Sequence, residues 1–179
     1  IFKALLQMFL IAMLPNSKGT TLALATILFS LPYVFLTPYA GFLADRFSKK
    51  IITVILKYAE LGIMLLSCVA FLVGSRFMLY ALLFLMSAQS ALFSPTKYGI
   101  LPELVPEERL TKANGLLVMM TFIATILGTA AAPAISFVTN KWFSSITIAY
   151  GIAAIVCVVI ATAGILTSHQ VWNTRAANP

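Results

Sequence analysis

Residues 41 to 50 read GFLADRFSKK and place four charged side chains, Asp45, Arg46, Lys49 and Lys50, within six positions. On either side lie Thr21–Leu43, which carries no charge, and Ile51–Val73, which carries only Lys57 and Glu60. With 9% of the whole chain charged, such a concentration marks a boundary rather than an ordinary surface. Each flanking run has the roughly 20 apolar residues that a hydrocarbon core about 30 Å thick requires. The stretch therefore reads as a connection at the bilayer surface between two spanning segments.

The rest of the composition agrees. The chain is 61% hydrophobic, against roughly 45–50% in soluble domains. Its 12 basic and five acidic residues cannot clothe a soluble surface for 179 residues. Six hydrophobic segments follow one another: Ile1–Leu14, Thr21–Leu43, Ile51–Val73, Phe77–Phe93, Ala113–Val138 and Phe143–Thr167. Backbone groups in lipid must be satisfied within their own segment or in a closed barrel. These runs are too long for barrel strands and do not alternate with period two, so an all-α membrane protein is expected.

The first segment is short for a span and reads as a truncated helix. A secretory signal peptide would have a basic n-region and a small-residue cleavage site, and neither is visible. The second and fifth segments start near Thr21 and Ala113, and the third and sixth near Ile51 and Trp142, the same separation to within a residue. Three-helix repeats of this kind are a transporter design. By the same spacing, the partner of the Phe77 segment would begin upstream of Ile1, which fits a chain opening on Ile.

Net charge is +7, but its distribution follows membrane topology better than nucleic-acid binding. Arg46, Lys49, Lys50, Arg109, Lys112 and Arg175 fall on one side, and Lys18, Arg76 and Lys141 on the other. The positive-inside rule then places the 41–50 loop and the C-terminal tail in the cytoplasm. Cys68 and Cys157 lie inside apolar runs and mark neither a disulfide staple nor a metal site. No phosphate-binding loop, zinc-ligand cluster or nucleophile elbow is visible, so no cofactor, metal or catalytic residue is expected.

With Gly41 first, Asp45 fifth and Arg46 sixth, the 41–50 stretch resembles the signature loop of the major facilitator superfamily, roughly Gly-x-Leu-Ala-Asp-Arg-x-Gly-Arg-Arg/Lys. Gly41, Leu43, Ala44, Asp45, Arg46, Lys49 and Lys50 match, whereas Ser48 stands where the family has Gly. The resemblance implies a gating role: Asp45 and the basic residues pair across two six-helix halves and hold one access state closed. A carboxylate meeting a facing helix N-terminus supplies such a contact, and it breaks when the halves rock apart.

The stretch SALFSPTKYGILPELVPEERLTKANGL, residues 90 to 116, resembles the fourth-to-fifth helix connection of the lysophospholipid transporter branch. Pro95, Lys97, Tyr98, Gly99, Ile100, Leu101, Pro102 and Asn114 carry that likeness. Pro95 and Gly99 are expected to interrupt the fourth helix, Pro102 and Pro106 to forbid a simple helix between them, and Thr111 to open the fifth. Lys97 beside Tyr98 suits either a lipid phosphate or an interfacial anchor. Drug–proton antiporters of the superfamily carry an Arg in helix four and a Gly-Pro run in helix five. Here Phe77–Phe93 is uncharged, and helix five offers only Gly128 and Pro133.

Charges within the spans are the remaining signal. Lys57 and Glu60 lie about 10 Å and about 15 Å into the third helix, three residues apart on one face. A carboxylate that deep needs a partner or a cavity and is a functional candidate, although mutual pairing would satisfy it structurally. Lys3 and Gln7 in the first helix, Gln89 in the fourth, and Lys97, Tyr98 and Asn114 complete the candidate substrate path.

The expectation is a six-helix bundle over residues 1–168, the N-terminal half of a major facilitator fold with helix one truncated. Residues 169–179 follow as a cytoplasmic tail or the start of a linker. The implied activity is alternating-access translocation of a lysophospholipid or other amphiphile across a bacterial inner membrane, with a C-terminal half and membrane lipids as partners. The alternatives are a facilitator for a drug or small metabolite, the membrane part of a fused acyltransferase, and a non-transporting scaffold.

Overall fold

The computed structural model describes residues 1–171, and no strand occurs among them. The expected tail beyond Val171, with the Arg175 used to assign sidedness, lies outside the described residues. The helices are α1 Phe2–Met13, α2 Lys18–Arg46, α3 Lys49–Val73, α4 Arg76–Gly99, α5 Leu101–Leu104, α6 Glu107–Trp142 and α7 Ile146–His169; one 3₁₀ turn, Pro15–Ser17, joins α1 to α2. Five of them, α2, α3, α4, α6 and α7, are long and apolar enough to cross a membrane. At 12 residues, or about 18 Å, α1 falls short of the core thickness.

Three boundaries differ from the sequence expectation, each for a local reason. The 41–50 stretch is not a ten-residue loop: α2 continues through Arg46, and only Phe47 and Ser48 lie between it and α3. Pro95 does not interrupt α4, which runs on to Gly99. Thr111 does not open the helix that follows, because α6 begins at Glu107 with Pro106 as its N-cap. Prolines inside spanning helices are tolerated where neighbours take up the freed backbone groups. Near these prolines α2 carries extra side-chain bonds: Ser87 of α4 donates to the Phe29 carbonyl in the turn before Pro32, and the Thr37 hydroxyl donates to the Tyr33 carbonyl before Pro38.

The α3–α4 turn is tight because Gly74 adopts φ 70°, closing α3 with its N–H on the Ala70 and Phe71 carbonyls. Ser75 then caps α4, its hydroxyl accepting from the Met78 N–H at 3.4 Å. Although short, α1 is deeply inserted: Phe2, Leu5, Leu6, Phe9 and Leu10 are buried. Phe9 meets Phe71 of α3 edge-on at 5.2 Å and Tyr150 of α7 at 5.3 Å, joining three helices at one aromatic point.

The closest seam joins α3 and α7. On α7 the buried residues Ala154, Cys157, Ala161, Ile165 and Ser168 recur at three- and four-residue steps. A Cβ placed on Gly151 would come within 2.7 Å of Leu72 Cδ2 and 3.8 Å of the Cys68 carbonyl. In lipid, helices associate through such close packing of small residues rather than through a hydrophobic drive.

Elsewhere α2 packs along α4 as α6 packs on α1, and α3 packs on α4 as α7 packs on α1. Exchanging α1 with α4, α2 with α6 and α3 with α7 maps these packings onto one another, which is the expected three-plus-three repeat. The flanking helices are the least covered: Val34 and Phe35 of α2 and Phe122, Ile126 and Leu127 of α6 are well exposed.

Candidate functional site

Glu60 of α3, Met86 and Lys97 of α4, and the α6 face running from Leu117 to Thr129 enclose an open cavity of about 650 Å³, bordered also by Ile1. Lys97 reaches it from the last turn of α4, and its ammonium donates to the Thr121 hydroxyl of α6. Thr121, Thr125 and Thr129 line the same wall at four-residue steps. Each turns its proton back onto its own helix: Thr121 to the Leu117 carbonyl at 2.7 Å, Thr125 to Thr121 at 2.8 Å and Thr129 to Thr125 at 2.8 Å. The hydroxyl protons are thereby spent within α6, and the Lys97 ammonium has donors to spare.

Lys57 and Glu60 form the ion pair that their spacing allows, Nζ to Oε2 at 2.7 Å. The Lys57 ammonium also lies 5.0 Å from the Phe93 ring centroid on α4. Its stem runs against Gly164 of α7, where a Cβ would sit 3.3 Å from Lys57 Cδ. Lys57 thus threads among three helices, while Glu60 contributes to the cavity wall. With Glu60 neutralised by Lys57, the uncompensated charge on the cavity wall is that of Lys97.

The other sequence candidates lie apart from this cavity. Lys3 places its ammonium 3.9 Å from the Phe29 ring centroid, a cation–π contact between α1 and α2, with Gln7 half-buried one turn on. Gln89 is buried and staples α4 to α3, donating to the Leu56 carbonyl at 3.2 Å and accepting from Ser90 at 3.2 Å. Tyr98 and Asn114 line a separate hollow of about 370 Å³ with Pro102 and Thr111. Lys97 and Tyr98, adjacent in sequence, border different spaces.

The 41–50 stretch divides in the same way. Gly41, Asp45 and Arg46 belong to the end of α2, and Asp45 and Arg46 are exposed. Among the described residues, Asp45 makes no ion pair. A carboxylate at a helix C-terminus faces the negative end of its own dipole and is poorly placed without another partner. Lys49, by contrast, is 5% exposed and ion-paired with Glu103 of α5. Its stem lies over Gly99, where a Cβ would come 3.2 Å from Lys49 Cε. The α2–α3 corner is clasped in this way to the α4–α6 connection, whereas Lys50 at the start of α3 is half-buried.

Glu103 and the three threonines were not among the sequence candidates. The threonines had a signal in their four-residue period. Glu103 had none, because its partner is 54 residues away.

The Major Facilitator Superfamily is matched over residues 2–178. Lysophospholipid transporter LplT of Photorhabdus laumondii is 32% identical over 154 residues, covering 83% of this chain and 36% of that protein. The protein of the same name from Serratia proteamaculans is 30% identical over 147 residues, covering 82% of this chain and 33% of that one. That from Cronobacter sakazakii is 36% identical over 106 residues, covering 59% and 25%. The chain spans about a third of the length of the first two of these relatives. No solved structure matches it.

Proposed function

Because the chain belongs to the Major Facilitator Superfamily, we propose that it works as one six-helix unit, residues 1–168, of a secondary transporter carrying a lysophospholipid across a bacterial inner membrane by alternating access. The names of its relatives support the substrate class. In this reading the 41–50 corner faces the cytoplasm, and a second six-helix unit packs against the exposed flanks of α2 and α6. Asp45 gates by pairing with that unit, which accounts for a carboxylate that makes no ion pair among the described residues at the end of α2. No catalytic role is assigned to the chain.

The observation that carries the reading is Lys97, a cation on an otherwise neutralised wall, beside the apolar residues Met86, Leu117 and Met120. A phosphate suits the remaining protons of the ammonium, which the Thr121 oxygen holds in place, while an acyl chain suits the apolar side. A charge-assisted hydrogen bond contributes about 1.5–3 kcal/mol, or roughly 10- to 150-fold in apparent affinity. Lys97→Gln in the full-length protein, reconstituted in liposomes, should therefore raise the KM for a fluorescent lysophospholipid by at least about tenfold, and Thr121→Val should raise it less. Unchanged uptake by Lys97→Gln at normal membrane level refutes the role of Lys97.

A further inference from the structure

A third polar–apolar hollow lies at the α5–α6 corner. Val105, Arg109, Lys112, Ala113 and Leu116 enclose about 610 Å³ and share no residue with the cavity of Lys97. Arg109, Lys112 and Leu116 stand at three- and four-residue steps and so lie along one line of the helix. Arg109 and Lys112 are exposed. Glu108 stands one turn before Lys112, yet neither cation forms an ion pair among the described residues. The charge of the site resides in these two side chains, not in the helix end.

Depth in the bilayer selects the occupant. At 36 residues α6 is about 54 Å long, well beyond a hydrocarbon core of about 30 Å. Its charged opening turns, Glu107 to Lys112, precede the apolar run that starts at Ala113 and Leu116. Arg109 and Lys112 therefore ride at headgroup level, with Leu116 just below them. We propose that this hollow is a lateral site for an anionic bilayer phospholipid, whose phosphate meets Arg109 and Lys112 and whose upper acyl chain lies against Ala113 and Leu116. Two cations with no ion pair among the described residues, above an apolar floor, complement such a lipid in both charge and depth. A zwitterionic lipid would gain less from the cations, and a soluble phosphate nothing from the floor.

The test uses the full-length protein in nanodiscs, with lipid retention read by native mass spectrometry and thermal stability followed as phosphatidylglycerol replaces phosphatidylcholine. Each cation near an anionic headgroup is expected to contribute about fivefold, so Arg109→Gln with Lys112→Gln should cut phosphatidylglycerol retention roughly 25-fold and abolish its stabilising effect. Leu116→Gln should weaken retention without changing charge, and Lys18→Gln, at the far end of the bundle, should leave it unchanged. Retention unaltered in the double variant overturns the proposal. So does displacement of the lipid by soluble glycerol phosphate at matched concentration, which would mean an ion site without an acyl-chain floor. Lysophospholipid uptake, measured in parallel, reports on the Lys97 cavity independently of this result.

Discussion

Removing either half of the Lys49–Glu103 clasp should have unequal effects. The side chain of Lys49 is 7% exposed and that of Glu103 27%. In Glu103→Gln a nearly buried ammonium loses its counter-charge. Breaking a buried pair in this way costs about 3–5 kcal/mol, and the partial access of water to Glu103 reduces this to about 2 kcal/mol. In Lys49→Met the stem over Gly99 is kept, and the carboxylate left behind can hydrate, so the cost is below about 1 kcal/mol. For a unit of this size each kcal/mol moves Tm by about 2–4 °C. Glu103→Gln should lose about 4–8 °C and Lys49→Met less than about 4 °C. The double variant should match Lys49→Met, since no lone buried charge remains. Cys157 is free and buried, whereas Cys68 is half-buried, so in a Cys68→Ser background a thiol-reactive fluorescent dye follows unfolding through Cys157 in detergent. Equal losses, or a larger loss in Lys49→Met, would refute the argument from unequal burial.

Three further outcomes are expected. Lys57→Met or Glu60→Gln alone should lower membrane level, because each leaves a lone polar group in the span, while the double change should restore it; full lysophospholipid uptake by that double variant would end any transport role for Glu60. Thr96 is fully buried and its hydroxyl has no hydrogen-bond partner among the described residues, so Thr96→Val should raise stability by about 1 kcal/mol; a fall in Tm would reveal a partner for the hydroxyl. Gly151→Ala should cost about 1–2 kcal/mol, because the methyl would come within 2.9 Å of Leu72 Cγ as well as Cδ2 and the exposed side chain must turn away as a whole, whereas Gly151→Leu should part the α3–α7 seam and cost at least about 3 kcal/mol by overpacking; equal effects on dye-detected Tm would count against close helix contact there.

The spans were legible because lipid imposes one dominant constraint, a run of about 20 apolar residues. Their ends were not, since polarity marks where a chain leaves the hydrocarbon and not where its helix stops. Asp45 and Arg46 are polar yet helical, and Thr111 lies inside a helix that starts at Glu107. Pro95 misled for a related reason: a proline costs a backbone bond, but the continuation of α4 depends on its packing against α2 and α3. At the site, the Lys57–Glu60 pair was readable from helical spacing alone. The approach of Lys97 to Thr121 depends on which face α6 turns toward α4, and the bond from Gln89 to Leu56 on how α4 lies against α3. Local period does not carry either fact.

The Lys57–Glu60 pair also bears on how the chain is made. Helix α3 is complete at Val73, whereas α7, which supplies the Gly164 wall beside Lys57, begins only at Ile146. At synthesis rates of about 5–20 residues per second, the nascent span waits roughly 4–15 s for that neighbour. An ammonium or a carboxylate whose partner lay on a later helix would face the bilayer uncompensated throughout that interval. Partners three residues apart on one helix can meet as soon as that turn has formed. The span can thus leave the translocon already neutral, and its insertion does not depend on sequence still to be translated.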